Sequence, residues 1–217
     1  MYRKLLSRPN ARLLPVALAL TLALIFLGAP AASCDVLINE ILAGPTQDWN
    51  GDGAVSSRDD EWLELYNAGT IPVNLADYLM SDTDSTIRYQ FSGSLGPGER
   101  VVVFGAQAVQ WQRDTGASVA GLSLNNSGDT VRLWRIVVSD TNMVDAYVYK
   151  SHETVADRAS GREPDGGIWA LFDGLNPYTG SLEPGGNGCL PTPGAANECD
   201  PTQVSEGTWG RVKNVYR

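Results

Sequence analysis

From residue 35 onward the chain is a succession of short apolar runs broken by polar turns. Val36-Leu-Ile-Asn-Glu-Ile-Leu42 mixes β-branched and aliphatic residues and predicts a strand over 35–42. Glu61-Trp-Leu-Glu-Leu-Tyr66 repeats with a period near two, so Trp62 and the Leu63/Leu65 pair set which face is buried. Runs at 73–79, 87–91, 100–104, 122–124, 130–138 and 143–149 predict further strands. Turn-forming groups separate them: Asn67-Ala-Gly69, Gly96-Pro-Gly98 and Asn125-Asn-Ser-Gly-Asp129. No segment sustains a 3.6-residue period, and 106–113 predicts at most a short helix. The absence of a heptad array argues against a coiled-coil oligomer. No internal repeat or linker marks a second domain. Strands and turns at this spacing predict one all-β domain of sandwich type.

The first 33 residues follow another pattern. Arg3, Lys4, Arg8 and Arg12 lead into an apolar stretch from Leu13 to Ala29, and small residues follow to Ser33. This is the layout of a secretory signal, a little short for a membrane span of about 20 residues. An uncleaved N-terminal anchor is the alternative; with either, the bulk of the chain is exported. Ala31-Ala-Ser-Cys34 resembles a bacterial lipoprotein signal, in which the cysteine becomes the lipidated first residue, although Ala31 stands where Leu is usual. Ordinary cleavage near Ala31 or Ser33 is the competing reading. Cys34 is therefore the candidate lipidation site, and its lipid the expected route to a membrane. The remaining cysteines, Cys189 and Cys199, flank a Pro/Gly segment that can bend back, and outside the cytoplasm they are expected to pair. Such a bridge closes a loop of about ten residues and contributes about 2–3 kcal/mol in the chain-entropy picture.

Composition narrows the function. A chain of 217 residues, 43% hydrophobic and 19% charged, is an ordinary folded protein. Its formal charge is −9, but the four bases ahead of Cys34 face no acid there, which leaves 12 Lys and Arg against 25 Asp and Glu, or −13, for residues 34–217. Nucleic acid rewards a basic face, so it is not an expected partner.

The order of the strand motifs resembles the lamin tail domain family. Val36 to Leu42, Asp60-Glu-Trp-Leu-Glu-Leu-Tyr-Asn67, Val73-Asn-Leu75 and Leu79-Met-Ser-Asp82 are similar to the opening of that domain. Leu95-Gly-Pro-Gly98 before 100–104, Leu124-Asn-Asn-Ser-Gly-Asp-Thr-Val131 and Val144-Asp145 with Tyr147 and Tyr149 continue the series. Arg162-Glu-Pro-Asp-Gly166 and Thr192-Pro-Gly-Ala-Ala-Asn197 complete it. The resemblance covers roughly residues 36–198 and implies an immunoglobulin-like β-sandwich over 35–199, preceded by a signal over 1–33 and followed by a tail over 200–217. Bacterial members of the family are exported and usually lack the coiled-coil rod, so filament formation does not carry over. They often accompany secreted nucleases or hydrolases as accessory modules.

One loop carries readable chemistry. Asp48, Asn50 and Asp52 place oxygen ligands at positions 1, 3 and 5 of a twelve-residue calcium loop, with Gly53 at the sharp turn. Ala54 offers its carbonyl at position 7, Val55 is the apolar anchor, Ser56 stands at position 9 and Asp59 at position 12. Asp at the last position makes the run resemble a dockerin loop more than an EF-hand. The second copy that a dockerin needs is absent, so cohesin binding is not implied. Ca²⁺ is the expected cofactor, with a structural role; an acidic surface turn is the alternative, and Asp60 and Glu61 are read as solvated or strand-pairing carboxylates, with service as extra or substitute ligands the alternative for them.

Catalytic patterns are weak. The one histidine, His152, lies between Ser151 and Glu153 with no Gly-x-Ser-x-Gly elbow, and no cluster of Cys or His is available for zinc. Among 25 acids a pair such as Glu61/Glu64 is uninformative. Trp49, Trp111, Trp169, Phe172 and Tyr178 lie in turn-rich segments and read chiefly as core or cap residues. The expected function is a non-enzymatic, calcium-stabilised, exported or surface-attached module that meets a protein or an envelope polymer. A secreted hydrolase of carbohydrate or phosphodiester, or its accessory subunit, is the alternative. The basic, aromatic tail over 200–217 is compatible with fraying, docking or sorting.

Overall fold

The computed structural model describes residues 36–199, which form an immunoglobulin-like β-sandwich of antiparallel sheets. The cleavage region, Cys34 and the 200–217 tail lie outside the described residues. A five-stranded sheet has the order β11 (Ile168–Phe172), β10 (Ala159–Glu163), β1 (Val36–Leu42), β2 (Trp62–Asn67) and β7 (Arg100–Phe104). Opposite lies a four-stranded sheet of β5 (Ile87–Gln90), β4 (Tyr78–Ser81), β8 (Gly128–Val137) and β9 (Asp140–Lys150). The two-residue strands β3 (Val73–Asn74) and β6 (Ser94–Leu95) pair at one margin.

Alternation along the strands builds the core. Leu63 and Leu65 of β2 and Val101 and Val103 of β7 face inward, with Met80, Val131 and Leu133 opposite. In β1 the register slips between Ile38 and Glu40, a bulge that lets Ile38 and Ile41, three positions apart, share the inner face. The remaining side chains of the same strands point the other way. Trp62, Leu42, Val102 and Phe104 form a second apolar cluster with Ala159, Phe172 and the disulfide. The central strands are thus buried on both faces.

Residues 173–199 cover that outer face. They wrap it as irregular chain, hydrogen-bonded first to the free edge of β11: Leu171 N donates to Gly185 O and Asn187 N to Leu171 O, both at 2.9 Å. The Cys189–Cys199 disulfide, with 5.6 Å between α-carbons, closes the wrap.

The helix is real and longer than its pattern suggests. α1 (Gly105–Thr115) begins where Gln107 accepts the Phe104 N–H and ends at Gly116 in the left-handed conformation. Two strand expectations fail. The 73–79 run is split by a 3₁₀ turn over Leu75–Asp77, whose Ala76 N–H is accepted by Asn74. Leu122 and Leu124 do reach the core, but from an irregular segment rather than a strand. Side chains have taken the place of a neighbouring strand there: Gln112 accepts from Ala120 N and Gly121 N, and Glu61 from Leu124 N. β10 and β11 are absent from the sequence pattern altogether.

Candidate functional site

The Asp48–Asp60 loop joins β1 to β2, two of the three interior strands of the larger sheet. Short polar side chains organise it from within. Asp48 accepts Gly51 N (2.8 Å) and Asp52 N (3.1 Å) on one oxygen and Gly53 N (2.8 Å) on the other. Asn50 accepts Asp52 N, and Asp52 accepts Ala54 N, each at 2.8 Å. Gly51 and Gly53 take the positive φ values, 75° and 90°, that this tight winding requires.

The far end of the loop departs from the twelve-position pattern. Asp59 turns outward to Arg58 at 2.6 Å, and that hydrogen bond holds its carboxyl below the ordinary range. Its neighbour Asp60 is fully buried and closes the loop instead: one oxygen accepts Trp49 N (2.9 Å) and Asn50 N (3.0 Å), the other Ser56 N (2.7 Å). Ser56 Oγ accepts Asp59 N, and Ser56 O accepts Asp60 N. Asp60 is therefore not the solvated or strand-pairing carboxylate that its sequence context suggests but a buried brace for the loop.

The loop is fastened to its surroundings at both ends. Asp59 O and Glu61 O accept the first helical N–H groups, from Ala106 and Gly105. Gly105 has no room for a side chain, since a β-carbon would lie 1.8 Å from Arg58 O. On the other side, Asp157 accepts from Thr46, Gln47 and Trp49 Nε1, the last at 2.8 Å. Burial works against the Asp157 carboxylate, but these donors outweigh it and leave its pKa lowered. Trp49, tilted against Trp62 with ring centroids 6.1 Å apart, is half-buried as a cap on the outer cluster.

The donor set decides what the loop suits. Among the described residues no three His, Cys, Asp or Glu side chains are gathered as a metal-holding group. Along the loop Asp48, Asn50, Asp52 and Ser56 carry oxygen-bearing side chains, and the Ala54 carbonyl is a further oxygen. That is an all-oxygen set, unsuited to zinc and of the kind Ca²⁺ accepts alongside water.

Glu153 and Glu64 are committed to other partners, and the His152 imidazole hydrogen-bonds to neither. Both ring nitrogens of His152 lack a hydrogen-bond partner, so no relay joins it to Ser151 or Glu153. Its ring lies 4.9 Å from that of Tyr178. Glu153 accepts from Tyr147 Oη, Ser160 Oγ and Lys150 N. Glu61, buried beneath Leu124, has its carboxyl pushed up to about 8, chiefly by burial. Glu64 and Glu40 lie side by side on the outer face, each under the wrapping segment. A groove of about 310 Å³ runs between β9 and β11 past Tyr147, Lys150 and Glu183. Its aromatic ring, Trp169, is already engaged, stacked on Tyr147 at 3.5 Å and under Arg162 at 4.8 Å.

A family model described as Lamin Tail Domain matches residues 29–151, more than half of the chain. No curated protein and no solved structure matches it.

Proposed function

We propose a function from one premise: the chain belongs to the lamin tail domain family. The immunoglobulin-like sandwich of that family supports a non-enzymatic interaction module. Two refinements go beyond the family. The first is that the module is stabilised by Ca²⁺ in the Asp48–Asp60 loop, with Asp48, Asn50 and Asp52 supplying side-chain oxygens, Ala54 its carbonyl and Ser56 its hydroxyl. The observation that carries this is the winding of that loop around the Asp48 carboxylate, onto which Gly51, Asp52 and Gly53 turn their N–H groups, with the Asn50 and Asp52 side chains in contact beside it. A cation there would offset the repulsion between Asp48 and Asp52. The second refinement is export, with attachment to the cell envelope at the N-terminal end through lipid on Cys34 or an uncleaved leader. The Cys189–Cys199 disulfide supports an oxidising compartment. The occupant of the outward surface is then a protein or an envelope polymer.

Calcium is tested by melting and calorimetric titration of the metal-stripped protein. A hundredfold excess over Kd is expected to add about 2.7 kcal/mol of stability. Asp48→Ala with Asp52→Ala abolishes the effect, whereas Asp59→Ala weakens it less, because that carboxylate is committed to Arg58. A melt identical in EDTA and in calcium rejects the metal and leaves the loop a self-bonded acidic turn.

A further inference from the structure

We infer that the tip of the β8–β9 hairpin is an apolar finger that rests on the lipid surface to which the chain is attached; this builds on the envelope attachment proposed above.

The direction of β9 places the tip. β9 meets β1 where the Asp145 carboxylate accepts Ile38 N at 2.9 Å and pairs with Arg162 at 3.3 Å. From that point β9 runs in the same sense as β1. Its last residue, Lys150, donates its N–H to Glu153, which also holds Ser160, the partner of Ile41. Beyond it, Asp157 N donates to Gly44 O, past the end of β1. Traced backward from Asp145, β9 therefore heads toward the start of β1 and beyond it. Five residues back to Asp140 cover about 17 Å, and two residues back from Ile38 to Val36, where β1 begins, cover about 7 Å. The hairpin tip and the point where the chain enters the sandwich are thus at the same end. The tip also overhangs its neighbour, because β4 pairs with β8 only over Arg132–Arg135.

The residues at the tip are chosen against local physics. Val137 pairs with Asp140, which leaves a two-residue turn of Val138 and Ser139. Val138 adopts φ 59° and is 100% exposed. A β-branched residue is disfavoured at positive φ, where hairpins of this length use Gly, Asn or Asp. Neither the backbone nor contact with water accounts for valine there. Val137 and Met143 beside it are 45% and 54% exposed. At the same end, Ile168 of β11 is 79% exposed, and Ile71 follows the β2 terminus that pairs with Val36.

What covers this end follows from the chain ahead of it. Only Asp35 separates Cys34 from β1, and the apolar stretch ends at Ala29. Either form of attachment holds the bilayer within a few residues of Val36. An isolated pair of aliphatic side chains binds lipid poorly, but tethering supplies the second signal by raising effective concentration. The contact is apolar rather than electrostatic, since the tip carries Asp140 and residues 34–217 carry −13. Uncharged or zwitterionic headgroups fit it, and anionic ones oppose it.

The test uses the full chain, recovered with its attachment and reconstituted into phosphatidylcholine vesicles. A nitroxide is placed by Val138→Cys at the tip or by Val155→Cys at the opposite end, and the labelled parent gives the background from Cys34. The tip label is expected to collide with oxygen dissolved in the lipid and to be shielded from an aqueous nickel complex. The label at 155 shows the reverse. Equal aqueous access at both sites on a membrane-attached chain overturns the docking alone. A tip label shielded from both reagents marks a protein partner and also overturns it. A full chain that does not sediment with membranes overturns the attachment, and the docking with it.

Discussion

The two faces of the β1–β2 pair are built on different principles. Inward, Ile38, Ile41, Leu63 and Leu65 meet another sheet across an apolar layer in which each side chain needs only volume. Outward, the same strands place Asn39, Glu40 and Glu64, all fully buried, under an irregular segment. That face needs partners. Thr192 donates its N–H and Oγ1 to Glu40, and Gly194 N reaches Glu64 at 2.7 Å. Asn39 Nδ2 bridges Glu64 and Asp165, each at 2.7 Å, and Arg100 Nε reaches Asp165 at 2.9 Å. A volume-filled face tolerates exchange among aliphatic residues. A partner-filled face fixes one segment in one register, because each lost donor strands a buried acceptor.

Three experiments separate the two faces. The largest effect is expected inward: Leu65→Ala removes buried volume between two sheets and costs about 3 kcal/mol in denaturant unfolding. A loss below about 1 kcal/mol would mean that the inner face is loosely packed. Next is the bridge. Replacing Cys189 and Cys199 by serine costs about 2–3 kcal/mol through loop entropy. Hydrogen exchange should accelerate first over 185–199 and leave β8 protected; uniform acceleration would merge the two faces into one unit. The last experiment varies pH, and the Glu40→Gln difference is its small readout. Burial, aided by the neighbouring Glu64, pushes the Glu40 carboxyl up to about 8, against the hydrogen bonds from Thr192. Its protonated form is favoured by folding, so its contribution is full below the ordinary value of 4.5 and is lost as pH rises through about 8. Tm should fall between pH 5 and 9, and fall less in Glu40→Gln. Glu61, pushed up in the same way, keeps part of the slope in that variant. A slope unchanged by Glu40→Gln would place the proton elsewhere.

The inner face was legible in sequence because apolar runs between turn residues encode it. β1, β2, β7, β8 and β9 fall where those runs put them, and the order of their motifs carries the family resemblance. The outer face was not. Ala159-Ser-Gly-Arg-Glu163 has neither alternation nor β-branched residues, yet it pairs with β1 because Gly161 lets the Phe172 ring and the Glu40 side chain close in. The wrap over 173–199 has no period at all, since its order comes from single hydrogen bonds to distant carboxylates. The cysteine spacing alone announced that it closes on itself. In the loop, the composition of positions 1 to 6 was informative because local Asx-type bonding is a property of neighbouring residues. Which of Asp59 and Asp60 turns inward depends on β2 and on α1, which a twelve-residue pattern does not contain.

Asp157 has a consequence for where this chain can be cut. It lies six residues beyond the end of the family match, yet it grips Thr46 and Trp49 in the first inter-strand loop. A fragment ended at residue 151 would leave that loop without its clasp, Trp62 facing solvent and two glutamates bare. The returning contacts run as far as Cys199, so a cut that keeps them falls after it.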